Sequence, residues 1–178
     1  MNRITRIVIV AAVTLTVAAC GFHLRRSASL PPGMQKVFLS SSGSREFRRE
    51  LARALAASGS TLEEARGPGV AEMRVSKAGF SSDALTVSGQ GRINEYAVRF
   101  HVEFEVVDDQ GATLVPHQEI DMSREFTYDR GEAVGRTAQI EVLKKSLLQD
   151  MVGSIMFRLQ AVGENSAPAA AASASTGT

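Results

Sequence analysis

The sequence predicts an α+β domain, a two-layer sandwich in which a four-stranded mixed sheet carries two helices on one face. Three observations carry that expectation. In INEYAVRFHVEFEVVDD, which starts at Ile93, Tyr96, Val98, Phe100, Val102, Phe104 and Val106 alternate with Glu95, Arg99, His101, Glu103 and Glu105. A period of two sends alternate side chains to opposite faces, so this is a long strand with one apolar and one polar face. From Glu132 to about Val162 the period turns helical, and Val134, Ile140, Leu143, Leu147, Met151, Ile155 and Leu159 form one stripe interrupted only by Gly153. The order of elements is strand, helix, three consecutive strands, long helix. A strand–helix–strand unit followed by a meander makes a mixed sheet, and both amphipathic helices can cover its apolar face.

The first nineteen residues differ in kind from the rest. Arg3 and Arg6 precede the uncharged run IVIVAAVTLTVAA, Ile7 to Ala19. As a helix this run would span roughly 20 Å at about 1.5 Å per residue, too short for a hydrocarbon core of about 30 Å. Its length and flanks fit a signal-peptide core, so residues 1–19 are expected to be removed. Val17-Ala18-Ala19-Cys20 resembles a bacterial lipobox. By that resemblance cleavage falls before Cys20, and its thiol and new amino group are acylated. Each buried methylene of such chains contributes about 0.8 kcal/mol, and several chains together anchor stably. Gly21, rather than aspartate, follows the cysteine, which favours the periplasmic side of the outer membrane. Removing residues 1–19 takes two arginines and no acid, leaving 18 basic and 19 acidic residues and a formal charge of −1. A near-neutral chain gives no argument for nucleic acid.

Residues 20–33 hold two prolines and several serines without a period, and read as a tether. A single domain is expected over residues 34–162. KVFLS, from Lys36, is a short strand, and SSGS is the turn after it. REFRRELARALAASG places Phe47, Leu51 and Leu55 four residues apart, with Gly59 in a C-cap position. TLEEARGPGV reads as a loop. From Val70, Ala71, Met73 and Val75 alternate with Glu72, Arg74 and Ser76, and the strand continues irregularly past Gly79 to about Val87. SGQGR turns the chain into the long strand, and DDQG turns it back. In the returning strand Leu114, Ile120, Met122, Phe126 and Tyr128 share a parity, and Pro116 requires a bulge or an edge. Residues 163–178 carry no charge after Glu164 and no large apolar residue, and are expected to be disordered.

Catalytic patterns are scarce. No serine sits in a G-x-S-x-G elbow, and neither HExxH nor CxxC occurs. SGQGRINE lacks the full dinucleotide fingerprint. Glu103 and Glu105 face the same way, but Arg99 and His101 continue their row, so a solvated face is the expectation rather than an acid pair. The scattered histidines suggest no metal cluster; His101 and His117 could approach across the hairpin, but two histidines are a weak hint. One cysteine excludes an internal disulfide and a multi-cysteine zinc site. Arg92 at the turn, Arg99 on the polar face, and Lys144 and Lys145 on the last helix could hold phosphates.

Cys20-Gly21-Phe22-His23-Leu24-Arg25 closely resembles the start of mature lipopolysaccharide-assembly lipoproteins, the LptE family. Asn94-Glu95-Tyr96, FEVVDDQG and SREFTYD before the long helix are similar to further parts of its pattern. The resemblance implies an outer-membrane lipoprotein that plugs a large LptD-like β-barrel and helps place lipopolysaccharide in the outer leaflet. It implies binding and scaffolding without bond making, and no cofactor. Arg92 is the first candidate for glycolipid phosphate contact, with Lys144 and Lys145 behind it. Two other classes stand beside this one, a lipid-anchored envelope hydrolase and an adaptor such as a pilotin for another envelope machine. The hydrolase would need a cluster of polar residues intolerant of alanine, which no motif supplies, and the adaptor has no need of GFHLR after the cysteine.

Overall fold

The computed structural model describes residues 30–87, 93–127 and 133–174. They form β1 (Lys36–Ser41), α1 (Arg45–Ala57), β2 (Thr61–Glu63), β3 (Ala71–Val87), β4 (Ile93–Val107), β5 (Thr113–Thr127) and α2 (Ala133–Ala174). The strands make one five-stranded mixed sheet in the order β2-β1-β3-β4-β5. The α+β class holds, whereas the expected count of four strands is corrected to five. The additional strand lies in TLEEARGPGV, where a loop was expected.

Local chemistry explains how β2 arises. Ser44 caps α1, its hydroxyl accepting from the amide of Phe47 at 3.1 Å. The helix ends at Gly59, whose φ of 96° suits glycine and turns the chain back along β1. Ser60 then donates its hydroxyl to the carbonyl of Met34 at 2.7 Å, and the amide of Thr61 donates to Gln35 at 2.8 Å. Those two bonds lay Thr61–Glu63 parallel to β1, pairing Lys36 with Thr61 and Phe38 with Glu63.

β1 also pairs in parallel with β3, so α1 lies over a crossover connection. β3 and β4 form a long antiparallel hairpin running from Glu72↔Val107 to Val87↔Ile93. A register shift between Val75 and Lys77 moves the apolar parity from Met73 and Val75 to Ala78 and Phe80, which explains the irregular pattern of this strand. A second irregularity in β5 falls between Val115 and Gln118, around Pro116. It brings Val115 opposite Val106 and buries it fully, while Leu114 stays only partly buried. The shared parity expected for Leu114 is therefore broken at the bulge.

One core joins the sheet and both helices. Val37, Met73, Val75, Phe100, Val102 and Phe104 pack with Phe47, Leu51 and Leu55 of α1 and with Leu147, Met151, Ile155 and Leu159 of α2. Phe100 meets Phe47 edge-on at 5.6 Å and stacks on Phe80 at 4.0 Å. Arg124 and Gln118, opposite Val98 and Phe104, also reach α2, where they meet Asp150 at 2.8 Å and Arg158 at 3.0 Å. The helical backbone of α2 continues past Val162 to Ala174, into the segment expected to be disordered. Alanine, which dominates there, has the highest helix propensity, so helix propagates without an apolar stripe.

Candidate functional site

The opposite face of the sheet is a field of paired charges. Arg74 meets Glu105 at 3.3 Å, Lys77 meets Glu103 at 3.6 Å, and Arg99 meets Asp83 at 3.5 Å. Their residues alternate with the buried ones, so the same periodicity that builds the core builds this face. Glu103 and Glu105 are therefore engaged with cations, as their place in the polar row suggests. Exposed pairs of this kind contribute little stability each; their effect is to present both signs of charge.

Between β4 and the edge strand β5 lies a cluster of which the sequence suggests only His101, as half of a weak pairing with His117. The register sets His101 directly opposite Asp121, and Glu103 opposite Glu119. His101 Nδ1 stands 2.8 Å from Asp121 and Nε2 stands 2.9 Å from Glu103. The bond to Glu103, then that to Asp121, raises the His101 pKa above its ordinary 6.5. The bond from His101 lowers the Glu103 pKa from its ordinary 4.5, with Lys77 and His117 adding to the shift. Stability contributed by the raised histidine is complete below pH 6.5 and is lost as pH rises through its folded value. Stability contributed by Glu103 is present above pH 4.5 and is lost as pH falls through its lowered value. In metal-free buffer, the melting temperature of the native chain is therefore expected to fall modestly relative to His101→Gln as pH rises above 6.5. Glu103, Glu119, Asp121, Lys77 and His117 all share this surface and shape the profile. Parallel melting curves across that range would contradict the assignment.

Two of the hollows among the described residues gather basic side chains. One, of about 420 Å³, is lined by Arg66, Arg74, Asp108 and Asp109 around the buried Glu72. Arg74 bonds Glu72 at 2.8 Å, and Arg66 neutralises Oε1 as an ion pair without an aligned hydrogen bond. Both arginines are thus compensated, and this hollow is no free anion site. The other, of about 360 Å³, lies between the start of α1 and the middle of α2. Its apolar surface is Phe80 and Leu148, and Ser44, Glu46, Glu141, Lys144 and Lys145 complete it. Gly43 permits this close approach of α1 to β3, because a Cβ there would lie 2.8 Å from Phe47 and 2.9 Å from Ala78.

The structure thus brings Lys144 and Lys145 together in one amphipathic groove. Lys144 is tied to Glu141 at 2.9 Å, whereas Lys145 is exposed and makes no ion pair among the described residues. Arg92 and Cys20 lie outside the described residues. Arg99 is on the polar face, as expected, paired with Asp83. The groove residues Phe80 and Leu148 were missed as site candidates. Neither falls in the alternation or the helical stripe read from the sequence; Leu148, 3% exposed, belongs to the core, and Phe80 is half-buried against Phe100.

Solved lipoprotein structures share this architecture. Lipoprotein B from Nitrosomonas europaea matches with a TM-score of 0.67 at 22% identity, over 83% of this chain and 93% of that one. The rare lipoprotein B of Shewanella oneidensis matches at 0.63 and 21%, over 73% and 97%. A minor lipoprotein from Acinetobacter baumannii matches at 0.60 and 20%, over 72% and 92%. These likenesses define the fold class, a small α+β domain with a mixed sheet. The family follows from the sequence, since the model of the LptE lipopolysaccharide-assembly family matches residues 34–159. The chain belongs to that family. The LPS-assembly lipoprotein LptE of Yersinia enterocolitica is 25% identical over 163 residues, covering 90% of this chain and 77% of that protein. Its namesake in Photorhabdus laumondii is 23% identical over 162 residues, covering 90% and 87%.

Proposed function

We propose that this protein is an outer-membrane lipoprotein, held on the periplasmic side by acyl chains on Cys20, that seats within an LptD-like β-barrel and helps deliver lipopolysaccharide to the outer leaflet. The observation that carries this reading is the family match across residues 34–159. The geometry supports it in two ways. A sheet face of alternating charge suits the polar lumen of a large outer-membrane barrel, where an apolar face would not be solvated. The groove beside Lys144 and Lys145 combines apolar surface with charges of both signs, and Lys145, which makes no ion pair among the described residues, is the cation it offers a phosphorylated glycolipid. Arg92, Lys144 and Lys145 are the proposed phosphate contacts. The work is binding and positioning, with no covalent step and no cofactor.

Depletion of the protein tests the cellular role. Newly made lipopolysaccharide is expected to fall at the cell surface and to accumulate inside, as read by surface-restricted labelling. Normal surface labelling after depletion would refute the reading.

A further inference from the structure

The imidazole of His101 is held in a way that no part of the proposed role uses. Three carboxylates converge on it, Glu103 on Nε2 and Asp121 and Glu119 on Nδ1, the last at 3.7 Å. Lys77, near Glu103, is the compensating cation. With a neutral imidazole the group carries a formal charge of −2. Nε2 faces Glu103 at 2.9 Å and Nδ1 faces Asp121 at 2.8 Å, so with a single ring proton one nitrogen meets its carboxylate as a lone pair. Two acceptors that close repel unless a second ring proton or a metal cation lies between them, and the two compete for that position.

We propose that His101, Asp121 and Glu119 form a divalent transition-metal site on the polar face, with Zn²⁺ as its representative ion. The donor set of one nitrogen and two carboxylates suits a borderline ion better than Mg²⁺ or Ca²⁺, which favour oxygen alone. Two donors about 2.1 Å from a tetrahedral ion stand about 3.4 Å apart. The separations from Nδ1, 2.8 Å to Asp121 and 3.7 Å to Glu119, bracket that value. All three ligand atoms lie within 4.8 Å of one another. Asp121 and Glu119 are 70% and 60% exposed, so their rotamers can close the remaining gap without disturbing the core. Glu103 occupies the position of the carboxylate that orients a ligating histidine through its other nitrogen. Water fills the remaining position. A dication neutralises the excess charge and ties β4 to β5.

Full-length lipidated protein in detergent, stripped with chelator and held near pH 8, is titrated with Zn²⁺ by calorimetry and with Co²⁺ by visible absorption. One equivalent is expected to bind at about 10 μM or tighter, with Co²⁺ showing tetrahedral bands. His101→Gln and Asp121→Asn are each expected to weaken binding at least about tenfold, while Glu64→Gln leaves it unchanged. Circular dichroism verifies that the variants fold. Lack of saturation by about 100 μM Zn²⁺, or binding undiminished in both site variants, overturns the proposal, whatever the barrel partner proves to be.

Discussion

Phe100→Ala is expected to destabilise the domain by about 3–5 kcal/mol, the usual cost of emptying a buried aromatic site. Phe100 is 2% exposed and joins three elements, since its ring stacks on Phe80 of β3 and meets Phe47 of α1 edge-on. Neither neighbour can collapse into the space without leaving its own contacts, so relaxation recovers little. A domain of this size is stable by about 5–15 kcal/mol, and the loss takes from about a fifth to all of that. Urea unfolding followed by circular dichroism reads the change as a lowered midpoint with an unchanged slope. Phe157→Ala, at a position 65% exposed, is the control and is expected to stay within about 0.5 kcal/mol. Equal effects at the two positions would contradict the packing described for Phe100.

Lipopolysaccharide affinity is expected to fall about 10- to 100-fold when Lys145 and Arg92 are both changed to alanine. Each charge-assisted contact to a phosphate contributes about 1.5–3 kcal/mol before salt screening, and screening at an exposed groove lowers the sum. Lys145→Ala is expected to cost more than Lys144→Ala, because Lys144 already shares its charge with Glu141 at 2.9 Å. Added salt should weaken the native protein more than the double variant, since only the former has the charges to screen. Fluorescence polarisation of labelled lipopolysaccharide measures all three effects. Unchanged binding in the double variant would remove these residues from the glycolipid site.

Much of the fold was legible because the core is written in simple periods. The alternation from Tyr96 to Val106 marked β4, and the four-residue spacing of Phe47, Leu51 and Leu55 marked α1. β2 was not legible, because three residues carry no period and Thr61–Glu63 become a strand only when the Gly59 turn lays them against β1. The groove was half legible. Lys144 and Lys145 stood out as charges, whereas Phe80 lies past the Val75–Lys77 register shift and Leu148 beside the helical stripe, so neither was marked. The cluster around His101 depended on register. Its members all sat at polar positions, yet a slip of one residue past the Pro116 bulge would have set His101 opposite Ile120 instead of Asp121. A pattern along one strand does not contain that information, which resides in the pairing of two.

The measurement that tests the central claim most directly is a mild-detergent purification of the full-length, lipid-modified protein from its own outer membrane. The account predicts a large β-barrel protein recovered in about equal amount, with lipopolysaccharide bound to the complex. Recovery of the lipoprotein alone, or with the components of a different envelope machine, would contradict it.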